Sequence, residues 1–263
     1  MSIAVAQRIP PWLGMSRIAG ALGVVGLIAL WWALAAAGTA GGTIPSPWLV
    51  LSTMWSDGWG LYGPNFQVTA LGALQGFLWG NVLAIGIAAL IMVVPRIEPL
   101  ATQLAILSYC TPLVALGPII LVVFGGRTPT VFLAAMYCFF TTMVGAVSGL
   151  RSADPASLDL VRAYGGGRWQ QLYRVQAIAA LPNTFAALKI AAPSAVLGAI
   201  IGEYLGGVDS GIGVALTAAQ TAYNVPRTWG MAIAAAALAG LGYLLVAGAA
   251  RLITPWTAEE TAR

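Results

Sequence analysis

The sequence predicts an all-α membrane protein of about six transmembrane helices, folded as a single domain over residues 1–263. Three observations predict it. First, 59% of the residues are apolar and 8% are charged, whereas ordinary soluble domains run to about 45–50% and about 25%. With a mean hydropathy of +0.86, the chain lacks the polar surface a soluble fold needs. Second, uncharged apolar runs recur at the roughly 20-residue length that crosses a bilayer core. Third, the basic residues are distributed unevenly between those runs.

Five runs qualify directly as spans: Ile18–Ala37, Val68–Val94, Leu100–Gly126, Thr128–Leu150 and Thr228–Ala250. The region Gln176–Ile201 is apolar but interrupted by Pro182, Lys189 and Pro193. A further helix is read there, from about Asn183 to about Leu205, with Lys189 reaching back to the headgroups. Six spans place both termini on one side. With the termini inside, ten basic residues (Arg8, Arg17, Arg96, Arg151, Arg162, Arg168, Arg174, Lys189, Arg251 and Arg263) are cytoplasmic or reach that side. Only Arg127 and Arg227 fall outside. Such a bias sets orientation.

The first run contains a small-residue site, Ala33-Leu34-Ala35. It exceeds the about 7–15 apolar residues of a signal sequence and is read as a retained helix. Pro45-Ser46-Pro47 ends it and suits the start of another helix. Trp48, Leu49, Leu51, Ser52, Met54 and Trp55 then read as a short helix in the membrane interface, where Trp is enriched.

The composition excludes much chemistry. There is no histidine, so no Ser-His-Asp or Cys-His pair and no His-ligated zinc. Cys110 and Cys138 sit in apolar runs and read as packing residues. The net charge of +4 is too small and scattered to suggest a nucleic-acid partner. The one lysine, Lys189, lies between Leu188 and Ile190, so no phosphate-cradling Gly-Lys-Ser/Thr loop exists in this chain.

Small residues four apart share a helix face. Gly72, Gly76, Gly80, Ala84 and Ala88 form one such stripe, read as a close-packing face. Ser194, Gly198 and Gly202 form a second on helix five, beside Ala191, Ala195 and Ala199. Pro112 and Pro118 interrupt helix three, removing backbone donors where no water replaces them. Helices three and five are therefore expected to line a pathway, with Thr111, Pro112, Ser194, Gly198 and Glu203 as its candidate lining or gate. Other polar candidates within spans are Gln75, Asn81, Gln103, Ser108, Thr141 and Thr142. Glu203 is read first as a partner of Arg127 or Arg227, with a cation seat or an outer gate as the alternatives. A secondary transporter would need that cation seat. A Ser194–Lys189 hydrolase would need contact between residues at a poor helical spacing.

The most charged stretch lies inside, between helices four and five. Asp154 suits an N-cap and Pro155 a first helical residue. The helix to Tyr164 ends on Gly165-Gly166-Gly167, and a second helical stretch runs from Arg168 to about Ala180, ahead of Pro182. This makes an elbow with basic residues on one side. Ala163 and Gly165 allow close backbone approach, Arg162 and Arg168 can pair with acidic groups, and Tyr164 or Trp169 can fill an apolar pocket.

The order resembles the cytoplasmic loop of ABC-importer permeases, the binding-protein-dependent inner-membrane component family. That pattern is Glu-Ala-Ala, three residues, Gly, nine residues, an apolar residue, one residue, Leu-Pro. With its Gly on Gly165, Asp159 takes the Glu position and Val175 the apolar one. Leu160 and Val161 replace the two Ala, Ala177 and Ile178 replace the Leu-Pro, and the nearest Leu-Pro is Leu181-Pro182. Ile44-Pro45-Ser46-Pro47, Thr111-Pro112-Leu113 and Gly211-Ile212-Gly213 extend the likeness. Val161–Gly165 and Arg168-Trp169-Gln170 are similar to the sulfonate, taurine and nitrate branch.

The resemblance implies a type I ABC importer-like permease in the bacterial inner membrane, with residues 151–182 as its coupling loop. Asp159, Arg162, Ala163, Tyr164, Gly165, Arg168 and Trp169 would dock on a cytoplasmic ATPase subunit. ATP and Mg would be bound by that partner, with no cofactor in this chain and no enzyme activity of its own. The other implied partners are a second permease copy in a homodimer, a second ATPase copy, membrane lipid, and a periplasmic or lipid-anchored substrate-binding protein. The branch implies a small organic or inorganic anion as cargo, with pyrimidine-type and aromatic-acid nutrients as alternatives. Arg127 and Arg227 would steer an anion or dock the binding protein.

Overall fold

The computed structural model describes residues 12–110 and 112–256. Thr111 lies outside them. All regular structure among the described residues is helical. Among the described residues, four helices are long and apolar enough to cross a membrane, and they span Pro47–Val93, Thr128–Arg151, Arg168–Tyr204 and Val225–Ile253.

The first helix, α1 (Trp12–Ala36), has no buried side chain among those described. It is tied down near its C-terminal end. Trp31 stacks on Trp229 with ring centroids 5.3 Å apart, and its indole donates to the Pro45 carbonyl at 2.9 Å. Ser46 then caps α2 (Pro47–Val93), accepting from the Leu49 amide at 3.3 Å, with Pro47 in the first turn. Gly58 breaks α2 with φ 66° and ψ 179°. A helical arm before Gly58 therefore stands where a short separate helix was expected, and the chain continues past that break as a long apolar helix.

Two expectations need correction. The expected third span, Leu100–Gly126, is two short helices, α3 (Glu98–Cys110) and α4 (Leu113–Phe124). Pro112 stands at the N-cap of α4 in an extended conformation, because a residue lacking an N–H and locked in φ suits a helix start better than its interior. The expected fifth span begins much earlier than Asn183. Helix α7 (Arg168–Gln171), a π-turn (Leu172–Gln176) and α8 (Ala177–Tyr204) join into one helix, Arg168–Tyr204. It runs through Pro182 and Pro193, since membrane helices absorb a proline by local adjustment against their neighbours.

Lys189 lies near the middle of α8, roughly 18 Å past Ala177 and roughly 22 Å short of Tyr204 at 1.5 Å per residue.

Helix α5 (Thr128–Arg151) is held between α2 and α8. The glycine stripe of α2 is buried and faces α5. A Cβ on Gly76 would lie 2.3 Å from the Ala134 Cβ and 2.8 Å from the Val131 oxygen. From the other side, a Cβ on Gly198 would lie 2.7 Å from the Leu133 oxygen, and one on Gly202 2.4 Å from the Thr130 Cα. Apolar side chains gain little by leaving lipid for each other, so close backbone packing is what drives helices together in a membrane. One polar clasp interrupts the seam: the Thr142 hydroxyl donates to Asn81 Oδ1, both residues buried.

After α8 the chain forms α9 (Ile212–Thr221), which the sequence reading did not foresee, and α10 (Val225–Ile253). Asn224 caps α10 through the Arg227 amide at 3.2 Å.

Gly76→Leu should therefore lower stability by about 1–3 kcal/mol or more, as overpacking does, while Gly86→Leu, which meets nothing within 4 Å, should not. Thermal unfolding of the two variants in lipid nanodiscs checks this.

Candidate functional site

The first candidate site is the elbow after α5. Asp154 caps the next helix, α6 (Pro155–Ala163), accepting from the Ser157 amide at 3.1 Å and the Ser157 hydroxyl at 3.0 Å. That hydroxyl, followed by the amides, holds the Asp154 carboxyl below the usual carboxylate range. The helix ends in a Schellman turn. The Gly165 amide donates to the Arg162 oxygen at 2.8 Å and the Gly166 amide to the Val161 oxygen at 2.8 Å. Gly165 has φ +77°, which an L side chain adopts only with strain.

Helix α6 has no buried residue. An isolated helix this short is marginal in water, so the two caps are what fix it. Its neighbourhood presents Leu160, Tyr164 and Trp169, all exposed. The expected docking cations are placed unequally. Arg162 pairs with Asp159 at 2.8 Å across one helical turn on the exposed surface. Arg168 donates to the Val93 oxygen at 3.3 Å and so closes the C-terminal end of α2. Ala163 is exposed beside them. Arg151 pairs with Glu98, tying the start of α3 to the end of α5.

The second site gathers at the C-terminal end of α8. Glu203 is 1% exposed. It does not take the expected partner: Arg227 is engaged by Asp57, with Nε to Oδ2 at 2.8 Å and Nη2 to Oδ1 at 2.5 Å, and Arg127 donates to the Val68 oxygen at 3.3 Å. Instead Glu203 seats the start of α9. Its Oε2 accepts from the Gly213 amide and from the Thr69 hydroxyl oxygen's proton, each at 2.9 Å.

The two preceding amides are held in the same way. The Ile212 amide donates to Thr69 Oγ1 at 2.8 Å, and the Gly211 amide to Asn65 Oδ1 at 2.8 Å. Three successive amides at the start of α9 thus find side-chain acceptors on α2 and α8, where a helix otherwise leaves its first donors unsatisfied. A carboxylate also suits the positive end of a helix. Gly211 is required there, because a Cβ would lie 2.4 Å from the Glu203 Cδ and its φ is +140°. Glu203 Oε1 has no partner among the described residues.

The remaining pathway candidates do not converge. Gly198 is packed against α5. Ser194 donates to the Ile190 oxygen at 3.0 Å, within its own helix and not toward Lys189. Pro112 heads α4, and Thr111 is outside the described residues. Sequence reasoning missed Asn65, Thr69 and Asp57. The first two stand four apart on α2 past the Gly58 break, one helical face opposite a Gly-Ile-Gly helix start, and that pairing was the available signal.

Glu203→Ala leaves the Gly213 amide and Thr69 hydroxyl buried without an acceptor, which should cost about 1–3 kcal/mol. Glu203→Gln keeps an acceptor and should cost less. Equal melting of both variants and the parent in nanodiscs would contradict the clamp.

Comparison with known proteins accords with the helical membrane architecture. The family of the binding-protein-dependent transport system inner membrane component matches residues 80–259. The chain is 29% identical to the riboflavin transport system permease protein of Chloroflexus aurantiacus, over 82% of this chain and 81% of that protein. It is 28% identical to the formylaminopyrimidine transport permease protein of Halalkalibacterium halodurans, over 68% and 72%. It is 27% identical to the putative aliphatic sulfonates transport permease protein of Bacillus subtilis, over 71% and 68%. The match spans well over half of the chain, from within α2 past the end of α10, and it takes in the elbow. The chain belongs to the binding-protein-dependent transport system inner membrane component family, and is a multi-pass inner-membrane permease subunit of an ABC transporter for a small solute.

Proposed function

We propose that the chain is the membrane subunit of an ATP-driven importer for a small organic or inorganic anion. Two copies enclose one pathway, and each copy carries six crossings with both termini in the cytoplasm, as the ten-to-two distribution of basic residues favours. Two ATPase subunits bind beneath them and hold ATP and Mg. A substrate-binding protein delivers the anion at the outer face. ATP-driven closure of the ATPase pair pushes on α6, the push travels along Arg168–Tyr204, and the pathway turns from inward-facing to outward-facing. Hydrolysis resets it.

The observation that carries this reading is α6 itself. It is capped at both ends, buries nothing, and displays Tyr164 and Trp169 at the foot of the longest apolar helix to follow it. Exposed aromatic side chains beside Arg162 have the composition of a binding anchor. Asp159 and Arg162 neutralise each other in the free chain and become available to complementary charges in a groove. The anion rests on the resemblance of the elbow to the sulfonate, taurine and nitrate branch and on a relative named for aliphatic sulfonates.

Tyr164 is 86% and Trp169 62% exposed, so Tyr164→Ala with Trp169→Ala should leave the fold intact and weaken ATPase-subunit binding at least tenfold. Copurification and binding-protein-stimulated ATP hydrolysis in nanodiscs check this. Undiminished hydrolysis in the double variant contradicts the docking assignment.

A further inference from the structure

We infer that the corner between α9 and α10, led by Tyr223, is a docking surface for the substrate-binding protein. The inference rests on the importer reading above and adds to it where this chain receives that partner.

The corner is strained. Helix α9 closes in a Schellman turn: the Tyr223 amide donates to the Gln220 oxygen at 3.0 Å and the Asn224 amide to the Ala219 oxygen at 2.9 Å. Such a turn needs a left-handed residue just past the helix, and Tyr223 supplies it with φ 54°. Glycine is the ordinary occupant, as Gly165 is in the same turn after α6, and asparagine is the next. Every other residue with positive φ among the described ones is a glycine. A bulky side chain in that conformation costs backbone energy, and strain of this kind collects at functional positions.

The ring returns nothing to the fold. Tyr223 is 90% exposed, so packing does not offset its strain. The backbone beneath it is nonetheless fixed. Asn224 caps α10 through the Arg227 amide, and its own oxygen accepts from the Thr228 amide and hydroxyl, each at 3.0 Å. The Tyr204 hydroxyl donates to Gln220 Oε1 at 2.9 Å and ties the last turn of α9 to α8. Glu203 holds the other end of α9. A large side chain on a fixed backbone loses little freedom on association, and tyrosine is enriched among binding anchors.

Position and chemistry select the partner. The Arg168–Val93 bond puts the elbow at the C-terminal end of α2. The start of α10 meets the other end: Arg227 pairs with Asp57, and a Cβ on Gly230 would lie 2.4 Å from the Tyr62 hydroxyl. Tyr62 and Val93 are roughly 46 Å apart along α2 at 1.5 Å per residue. The corner thus stands at the end of the bundle opposite the ATPase-docking elbow. The exposed side chains beside Tyr223 are Gln220 and Thr221, with Tyr204 bonded to the first. These are aromatic rings, hydroxyls and an amide without formal charge. Lipid and a permanent second copy are met by more apolar surfaces. A partner that docks and leaves in each cycle is met by aromatic and uncharged polar groups such as these.

The test uses the permease assembled with its ATPase subunits in nanodiscs, and the transporter's purified substrate-binding protein. Tyr223→Gly and Tyr223→Asn relieve the backbone and remove the ring. Both should melt no lower than the parent and keep hydrolysis without binding protein within twofold. The binding-protein concentration that half-maximally stimulates hydrolysis should rise at least fivefold in both. Tyr223→Phe keeps the ring and should stay within threefold of the parent. Parent-like stimulation of the Gly and Asn variants overturns the inference. A photoreactive benzoylphenylalanine in place of Tyr223 reads the contact directly. Irradiation should join it to the added binding protein, and crosslinks confined to lipid or to the second permease copy overturn the inference. Should the Gly and Asn variants fail to assemble, this crosslink decides. A parent transporter whose hydrolysis ignores the binding protein removes the importer reading and the inference together, whereas a responsive parent matched by its Gly variant removes the inference alone.

Discussion

One helix running unbroken from Arg168 to Tyr204 organises this protein. At 1.5 Å per residue it is about 55 Å long, enough to cross the membrane and extend beyond it. Its N-terminal end starts at the Gly165–Gly167 turn directly after α6, and its C-terminal end carries Glu203, which holds the start of α9. Two prolines and a π-turn lie along it without ending it. Gly198 and Gly202 on α8, with Gly145 and Gly149 on α5, bring the backbones of these helices together. The same contact between α5 and the α2 glycines makes a three-helix core of small side chains, in which shape rather than hydrophobic burial fixes the geometry.

The arrangement explains why polar groups are found where they are. Asn81 and Thr142 satisfy one another inside the core. Asn65, Thr69 and Glu203 are used up in seating α9. Asp57 and Arg227 lock the arm before Gly58 onto the start of α10. A membrane interior offers no water to an unsatisfied donor, so each of these groups has a protein partner, and the partners tie elements far apart in sequence.

Much of this was legible in the sequence. Composition fixes the class, and the apolar runs locate four of the long helices to within several residues at most ends. The Gly72–Ala88 stripe announces its own packing face. Asp154, Pro155 and the three glycines define α6, because capping and turn chemistry are local. What the sequence hid was non-local. Pro182 reads as a stop, and only contact with α5 shows that the helix continues. Pro112 was seen as an interruption, yet its effect, a division into α3 and α4, depends on how the ends pack. Helix α9 lies in a glycine-rich stretch that resembles a loop until Asn65, Thr69 and Glu203 are placed around it. The Asp57–Arg227 pair joins residues 170 positions apart, beyond any spacing argument.

The central claim is that movement at α6 reaches α9 through this single helix. Spin labels at Gln220 on α9 of the two copies, in the assembled transporter, measure it most directly. Trapping ATP on the ATPase subunits should shift the label-to-label distance by several ångströms, and the shift should vanish when Ala179-Ala180 is replaced by Gly-Gly-Gly to interrupt the rod. An outer distance that stays fixed on trapping ATP, in a transporter that still takes up its cargo, would contradict the account.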